Sequence, residues 1–121
     1  MREPSSVENL KEIVETHRVW LETAGASGTR ADLSGAFLLR ADLEGVDLTG
    51  AEMREVNLSG AMLQKATLRD ANLQRARLPV ANLRNADLEG ANLNGAHLQN
   101  AVLFRANLRK VNLAPANLEL A

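Results

Sequence analysis

The side chains able to do chemistry are two histidines, fifteen carboxylates and a few hydroxyls, and their spacing decides what they can do. A metal centre needs several ligands at close, fixed offsets. His17 and His97 lie eighty residues apart, and His17 has no second His or carboxylate at ligand spacing. His17 falls on an apolar stripe, the place of a packed or capping side chain, and His97 sits at an outward position. Acid–base catalysis would want paired carboxylates, and Asp32, Asp42, Asp47 and Asp87 recur at one slot. Asn57, Asn72, Asn82, Asn92, Asn107, Asn112 and Asn117 fill that same slot. A slot that takes acid and amide alike serves hydrogen bonding to nearby backbone, not proton transfer. Ser5, Ser6, Ser27, Ser34 and Ser59 have no His–Asp partners suggested by position, and the glycines never assemble a phosphate-binding loop. The absence of cysteine removes disulfides, thiolate metal sites, iron–sulfur clusters and a cysteine nucleophile. The expectation is a protein that is not an enzyme, with no cofactor, no metal and no small-molecule substrate.

The elements that carry these residues come from a repeat. From Ala31 the chain reads in fives, Ala31-Asp32-Leu33-Ser34-Gly35 and onward without interruption to Ala116-Asn117-Leu118-Glu119-Leu120. The third position is Leu33, Leu38, Leu43, Leu48, Met53, Leu58, Leu63, Leu68, Leu73, Leu78, Leu83, Leu88, Leu93, Leu98, Leu103, Leu108, Leu113 and Leu118. The first is Ala, or Val at Val46, Val56 and Val111; the second is most often Asn or Asp; the fourth and fifth are free. Leu at every fifth residue would smear around a helix. Within a unit, apolar first and third positions flank a polar second, which is strand alternation. Ser, Gly, Asn, Asp, Arg and Pro at the last two positions are turn chemistry. Each unit is therefore a very short strand plus a corner, and the chain must coil with Ala and Leu inward. A small residue beside each Leu keeps that interior narrow enough to fill.

This A-(D/N)-L-x-x pattern resembles the pentapeptide-repeat family over residues 31–120. The resemblance implies an all-β solenoid: a right-handed quadrilateral β-helix, four units per coil and about four and a half coils. With four units per coil, residues twenty apart share a column, so Asn72, Asn92 and Asn112 are expected to stack as an amide ladder. Quinolone-resistance members of the family resemble B-form DNA and engage DNA gyrase.

Residues 1–30 differ in kind and are read as a capping helix with its linker, ahead of the solenoid at 31–121. Val7, Leu10, Ile13, Val14, His17, Trp20 and Leu21 lie on one helical face, with Lys11, Glu12, Glu15, Arg18 and Glu22 largely opposite. Ser5 and Glu8 are spaced as a capping box, and Gly25 with the following Ala-Ser-Gly-Thr supplies the stop. Such a helix suits the open apolar end of the first coil, with Phe37 and Leu39 packed beneath it beside Trp20. The stretch His17-Arg18-Val19-Trp20-Leu21, with Gly25, Gly28 and Arg30, looks like a leader found in other bacterial pentapeptide-repeat proteins.

The chain has 121 residues, a net charge of −1 and no run of 18 apolar residues, so the sequence reads as a soluble, cytoplasmic single domain with no membrane span. Residues 56–85 carry Lys65, Arg69, Arg75, Arg77 and Arg84 against Asp70, an electrostatic rim for a protein partner. No aromatic residues interleave with these cations, which disfavours direct nucleic-acid binding. Val102 and Phe104 are apolar at outward positions and mark a further partner surface. With Leu118 and Leu120 they also point to an end-to-end homodimer through the C-terminal coils, hiding an unpaired edge. The function expected is a noncatalytic protein–protein interaction scaffold of unknown partner. The alternative is a DNA-mimic-like modulator of gyrase, which the basic middle coils oppose.

The inward assignment has a direct test. Leu83→Lys buries a charge in the middle of the stack and is expected to abolish folding. A soluble Leu83→Lys protein with a wild-type β-rich circular-dichroism spectrum and melting temperature would overturn it.

Overall fold

The computed structural model describes residues 7–121, and the Ser5–Glu8 capping box and the Val7 side chain lie outside what it describes. One helix, α1 (Val7–Glu22), precedes a parallel β-solenoid. The regular structure of the solenoid is a set of single-residue bridges, each joining a residue to the one twenty positions later. They form four ladders, which start at Asp32, Phe37, Asp42 and Asp47. The chain therefore returns to the same side after every four units.

Three sets of backbone hydrogen bonds hold a unit. Its second and third residues bond the neighbouring coils, as in Glu52 N–H to the Ala31 carbonyl at 3.0 Å and Leu33 N–H to the Glu52 carbonyl at 2.7 Å. The fifth residue bonds the next coil as well, as in Gly50 N–H to the Arg69 carbonyl at 2.8 Å. The first residue of the following unit closes a turn onto the third, as in Ala36 N–H to the Leu33 carbonyl at 3.0 Å. In such a turn only the second central residue has positive φ, the type II pattern that favours Gly or Asn. The fifth position is thus not free. Gly, Arg, Glu, Lys, Asp, Asn and even Val80 take φ between about 56° and 75° there, and Pro115 is the exception.

The core is the stacked third and first positions. From Leu33 to Leu98 every third-position side chain is buried, most of them to 1% exposure or less. Leu103, Leu108 and Leu113 are half-buried and pack against this core, whereas Leu118, assigned to the core from the sequence, is 40% exposed.

α1 ends one residue earlier than Gly25 suggests. Ala24 takes the left-handed conformation at φ 53°, with its N–H on the Leu21 carbonyl, and the Gly25 N–H reaches the Trp20 carbonyl at 2.8 Å. That pair of bonds is a Schellman motif with Ala, not Gly, at its left-handed residue. Gly28 is required by contact instead. A Cβ there would lie 2.4 Å from the Thr16 carbonyl oxygen and 2.6 Å from the Trp20 nitrogen.

Val80 is the costliest corner residue, because a β-branched side chain crowds the backbone at its φ of 63°. It is 63% exposed, so trimming it loses little packing. Val80→Gly is expected to raise stability by about 1 kcal/mol, read as a higher urea midpoint at unchanged slope. A lower midpoint would contradict the turn assignment.

Candidate functional site

The second-position slot does what the sequence suggests. Each of its Asp and Asn side chains accepts the backbone N–H two residues on, from Asp32 with Ser34 at 3.1 Å to Asn117 with Glu119 at 3.0 Å. Asn72, Asn92 and Asn112 share a ladder, yet each turns its oxygen to its own corner, on Gln74, Asn94 and Ala114 N–H. The expected amide ladder gives way to these local bonds, which leave the side-chain oxygen already engaged. The Asn72 amide instead donates to Glu52 at 3.1 Å.

His17 is fully buried and joins the helix to the first coil. Its Nδ1 accepts the Ala31 N–H at 2.9 Å, so Nε2 carries the proton that it donates to the Thr49 carbonyl at 2.8 Å. Trp20 stacks on the His17 ring at 5.3 Å, and the Arg30 guanidinium lies 6.0 Å from the Trp20 ring centre. Both polar atoms of the imidazole are occupied in holding the fold. Leu10 is buried against the first coil, with Ile13 and Val14 packed beside it, and Trp20 and Leu21 are half-buried. Phe37 and Leu39 do not pack under the helix: they are 55% and 59% exposed. They occupy outward positions, whereas α1 lies over the inward layer. Leu39 instead borders a cleft of about 430 Å³ between α1 and the coil, with Leu10, Val14, Leu43 and Val46. Among the described residues no group of three His, Asp or Glu side chains could hold a metal ion.

The surface residues sort by ladder. The Asp32 and Asp47 ladders and the corners beside them carry every ion pair of the solenoid among the described residues. Arg30 meets Glu52 at 2.8 Å, Arg69 meets Asp87 at 2.9 Å and Glu89 at 3.4 Å, and Arg75 meets Glu55 at 3.6 Å. Arg69 and Arg75, read in the sequence as partner-facing, are thus engaged within the chain. The Phe37 and Asp42 ladders and their corners look different. They carry the exposed apolar side chains Phe37, Leu39, Met62, Val80, Val102 and Phe104. Lys65, Arg77, Arg84 and Arg105 share that side with no carboxylate partner among the described residues. Arg84 and Arg105 lie 5.6 Å and 5.4 Å from the Phe104 ring centre.

The structure therefore unites Val102, Phe104, Lys65 and Arg84 on one side and places Arg69 and Arg75 on the other. It adds Met62, which the sequence reading missed. Aligning the sequence at a step of twenty would have found it, since Met62, Asn82 and Val102 are consecutive rungs.

A family model described as "Pentapeptide repeats" matches residues 24–50, 41–78 and 81–119, in eight copies. Among solved structures, the chain resembles alr5209, a pentapeptide repeat protein from Nostoc Pcc 7120. The two are 38% identical over 77% of this chain and 69% of that one, with a TM-score of 0.53. AT2G44920, a pentapeptide repeat protein from the Arabidopsis thaliana thylakoid lumen, is 37% identical over 74% of this chain and 52% of its own, with a TM-score of 0.48. QnrB1, a plasmid-mediated fluoroquinolone resistance protein, shares the fold at 23% identity and a TM-score of 0.58, over 69% of this chain and 46% of its own. No curated protein sequence matches the chain.

The ion-paired side predicts an acid dependence. Burial works to raise the Asp87 pKa, but hydrogen bonds from the Glu89 N–H, Arg69 and Asn107 outweigh it and hold the carboxyl below its ordinary value. Its contribution to stability is full above about pH 4 and is lost as the pH falls through the lower folded value. Asp87→Asn is expected to cost a few tenths of a kcal/mol at pH 7 and to flatten the fall in stability below pH 4. An identical pH profile in urea titrations would contradict this.

Proposed function

The chain belongs to the pentapeptide-repeat family, and on that premise we propose that it is a noncatalytic protein–protein interaction scaffold. Its fold is the right-handed β-helix of its relatives. The finer geometry we propose is a quadrilateral cross-section of about four and a half coils, from four ladders stepping by twenty residues. The observation that carries the functional reading is the interior, where Leu48, Leu58, Leu68, Leu78 and their neighbours are 0% exposed. An interior so completely filled by aliphatic side chains leaves chemistry to the outward positions, and those are set as on a ruler. We place its action in the bacterial cytoplasm, on a partner protein and not on a membrane, nucleic acid or small molecule.

A second copy is one such partner. Half-buried Leu103, Leu108 and Leu113 and exposed Leu118, Leu120 and Phe104 supply apolar surface at the C-terminal coils for an end-to-end homodimer. Light scattering across a dilution series of the full chain is expected to show a dimer that Leu118→Glu dissociates. A strict monomer removes this part of the proposal.

The gyrase reading draws on the family's quinolone-resistance members, of which QnrB1 shares the fold, and the charges oppose it. Mimicry of DNA wants a continuous acidic surface, whereas cations and carboxylates are ten each between residues 31 and 121. The purified protein is expected to leave gyrase supercoiling unchanged, with or without a quinolone. Inhibition or protection near equimolar protein would put the gyrase reading first.

A further inference from the structure

Resting on the scaffold reading, we infer that the protein has one docking side, formed by the Phe37 and Asp42 ladders, and that it takes an acidic amphipathic helix of a partner protein. Three observations converge on the site. Leu39, Met62, Val80, Val102 and Phe104 are 40% to 63% exposed and fall on adjacent ladders and corners of one side. Singly exposed apolar residues are ordinary, but their confinement to one side of a rod is not. Next, Lys65, Arg77, Arg84 and Arg105 border them without carboxylate partners among the described residues. Arg54, Arg109 and Lys110 on the other side are likewise unpaired but have no apolar strip beside them, and Asp42 and Glu44 lie at the first-coil end of this side. Finally, Arg84 and Arg105 rest near the Phe104 ring, which keeps two cations beside the apolar strip.

Apolar contact and unneutralised positive charge together define the occupant. A ligand must bury aliphatic and aromatic carbon and bring carboxylates to the flanks. A phosphate backbone would meet the cations but leave Met62, Val80 and Val102 unmatched. The dimensions suit a helix. Three steps between coils, from Leu39 to Phe104, span about 14 Å at the spacing of paired strands, and three helical turns span about 16 Å. Rungs and turns then run nearly in step, so an apolar stripe lies along the strip with acidic residues on either side.

The test titrates the labelled full chain, followed by NMR, with a synthetic helix of roughly 14 residues bearing a Leu stripe flanked by Glu. Shift changes are expected at residues of the Phe37 and Asp42 ladders. Exchanging Glu for Lys, or Leu for Ser, should weaken binding at least about tenfold. Met62→Glu and Arg84→Glu should do the same. Outward slots already hold carboxylates such as Glu52, so these variants are expected to keep the wild-type spectrum. Asn92→Glu and Arg109→Glu, on the other side, should bind as wild type. No binding, equal binding of the Ser peptide, tighter binding of a short DNA duplex, or shifts confined to the Asp32 and Asp47 ladders would overturn the proposal. A photocrosslinker at position 82 or 92, used in cells of the source organism, separates this from the scaffold reading. Capture at 82 through an acidic amphipathic segment supports both. Capture only at 92, or at 82 through any other surface, keeps the scaffold and overturns the docking side. Capture at neither position overturns both.

Discussion

Parallel hydrogen bonding at a fixed step of twenty residues is the constraint on which the rest of this structure depends. A buried peptide group must find a partner, and here the partner is supplied by the neighbouring coil, not within a sheet of long strands. Glu52 donating to Ala31, and Asn72 to Ala51, are the same bond one coil apart. Only if each coil takes the same number of residues does that bond recur. The turn at every fourth and fifth residue, the small first residue and the Leu at the third all follow from closing each coil at the same length. The corners illustrate the force of the constraint. Arg40, Glu55, Lys65 and Val80 adopt a backbone conformation that their side chains disfavour, because a relaxed corner would break register with the coils on both sides.

Much of this was legible in the sequence. The inward set was readable because Leu and Ala recur without a gap, and the turn-capping role of Asp32 through Asn117 because acid and amide share one slot. The exposure of Leu103, Leu108, Leu113 and Leu118 was not readable from the motif, since their residue types match those of the buried Leu83. What differs is the covering layer. The left-handed fifth position was partly visible in its glycines and hidden by the Arg, Lys and Glu that also occupy it. The candidate surface was legible only in pieces. Phe104 and Val102 stood out by composition, but Met62 did not, and Arg69 and Arg75 look identical to Arg84 in the chain. Whether a cation is paired depends on what lies eighteen or twenty residues away on the same side.

The junction between α1 and the solenoid shows how a polar residue can belong to a core. His17 sits on the apolar stripe of the helix, yet neither ring nitrogen is left unpaired. It reads the start of the first coil at Ala31 and its end at Thr49, so the helix is tied to a closed coil and not to a segment. The tight approach at Gly28 and the Schellman turn at Ala24 and Gly25 bring the chain back to that point. The helix is thereby oriented by directional bonds, where apolar packing alone would tolerate rotation.

The twenty-residue step has a consequence for how such a chain can change. Insertion of a single five-residue unit leaves the inward pattern of Leu and Ala intact, so the core would scarcely register it. Everything downstream would nevertheless advance by one ladder. An extra unit after residue 70 would move Val102 and Phe104 away from Met62, and would carry Arg84 onto the side that now holds Asp87. The sidedness of this protein is therefore a matter of phase, which neither composition nor stability protects. Insertions or deletions of four whole units lengthen or shorten the rod and keep its sides aligned.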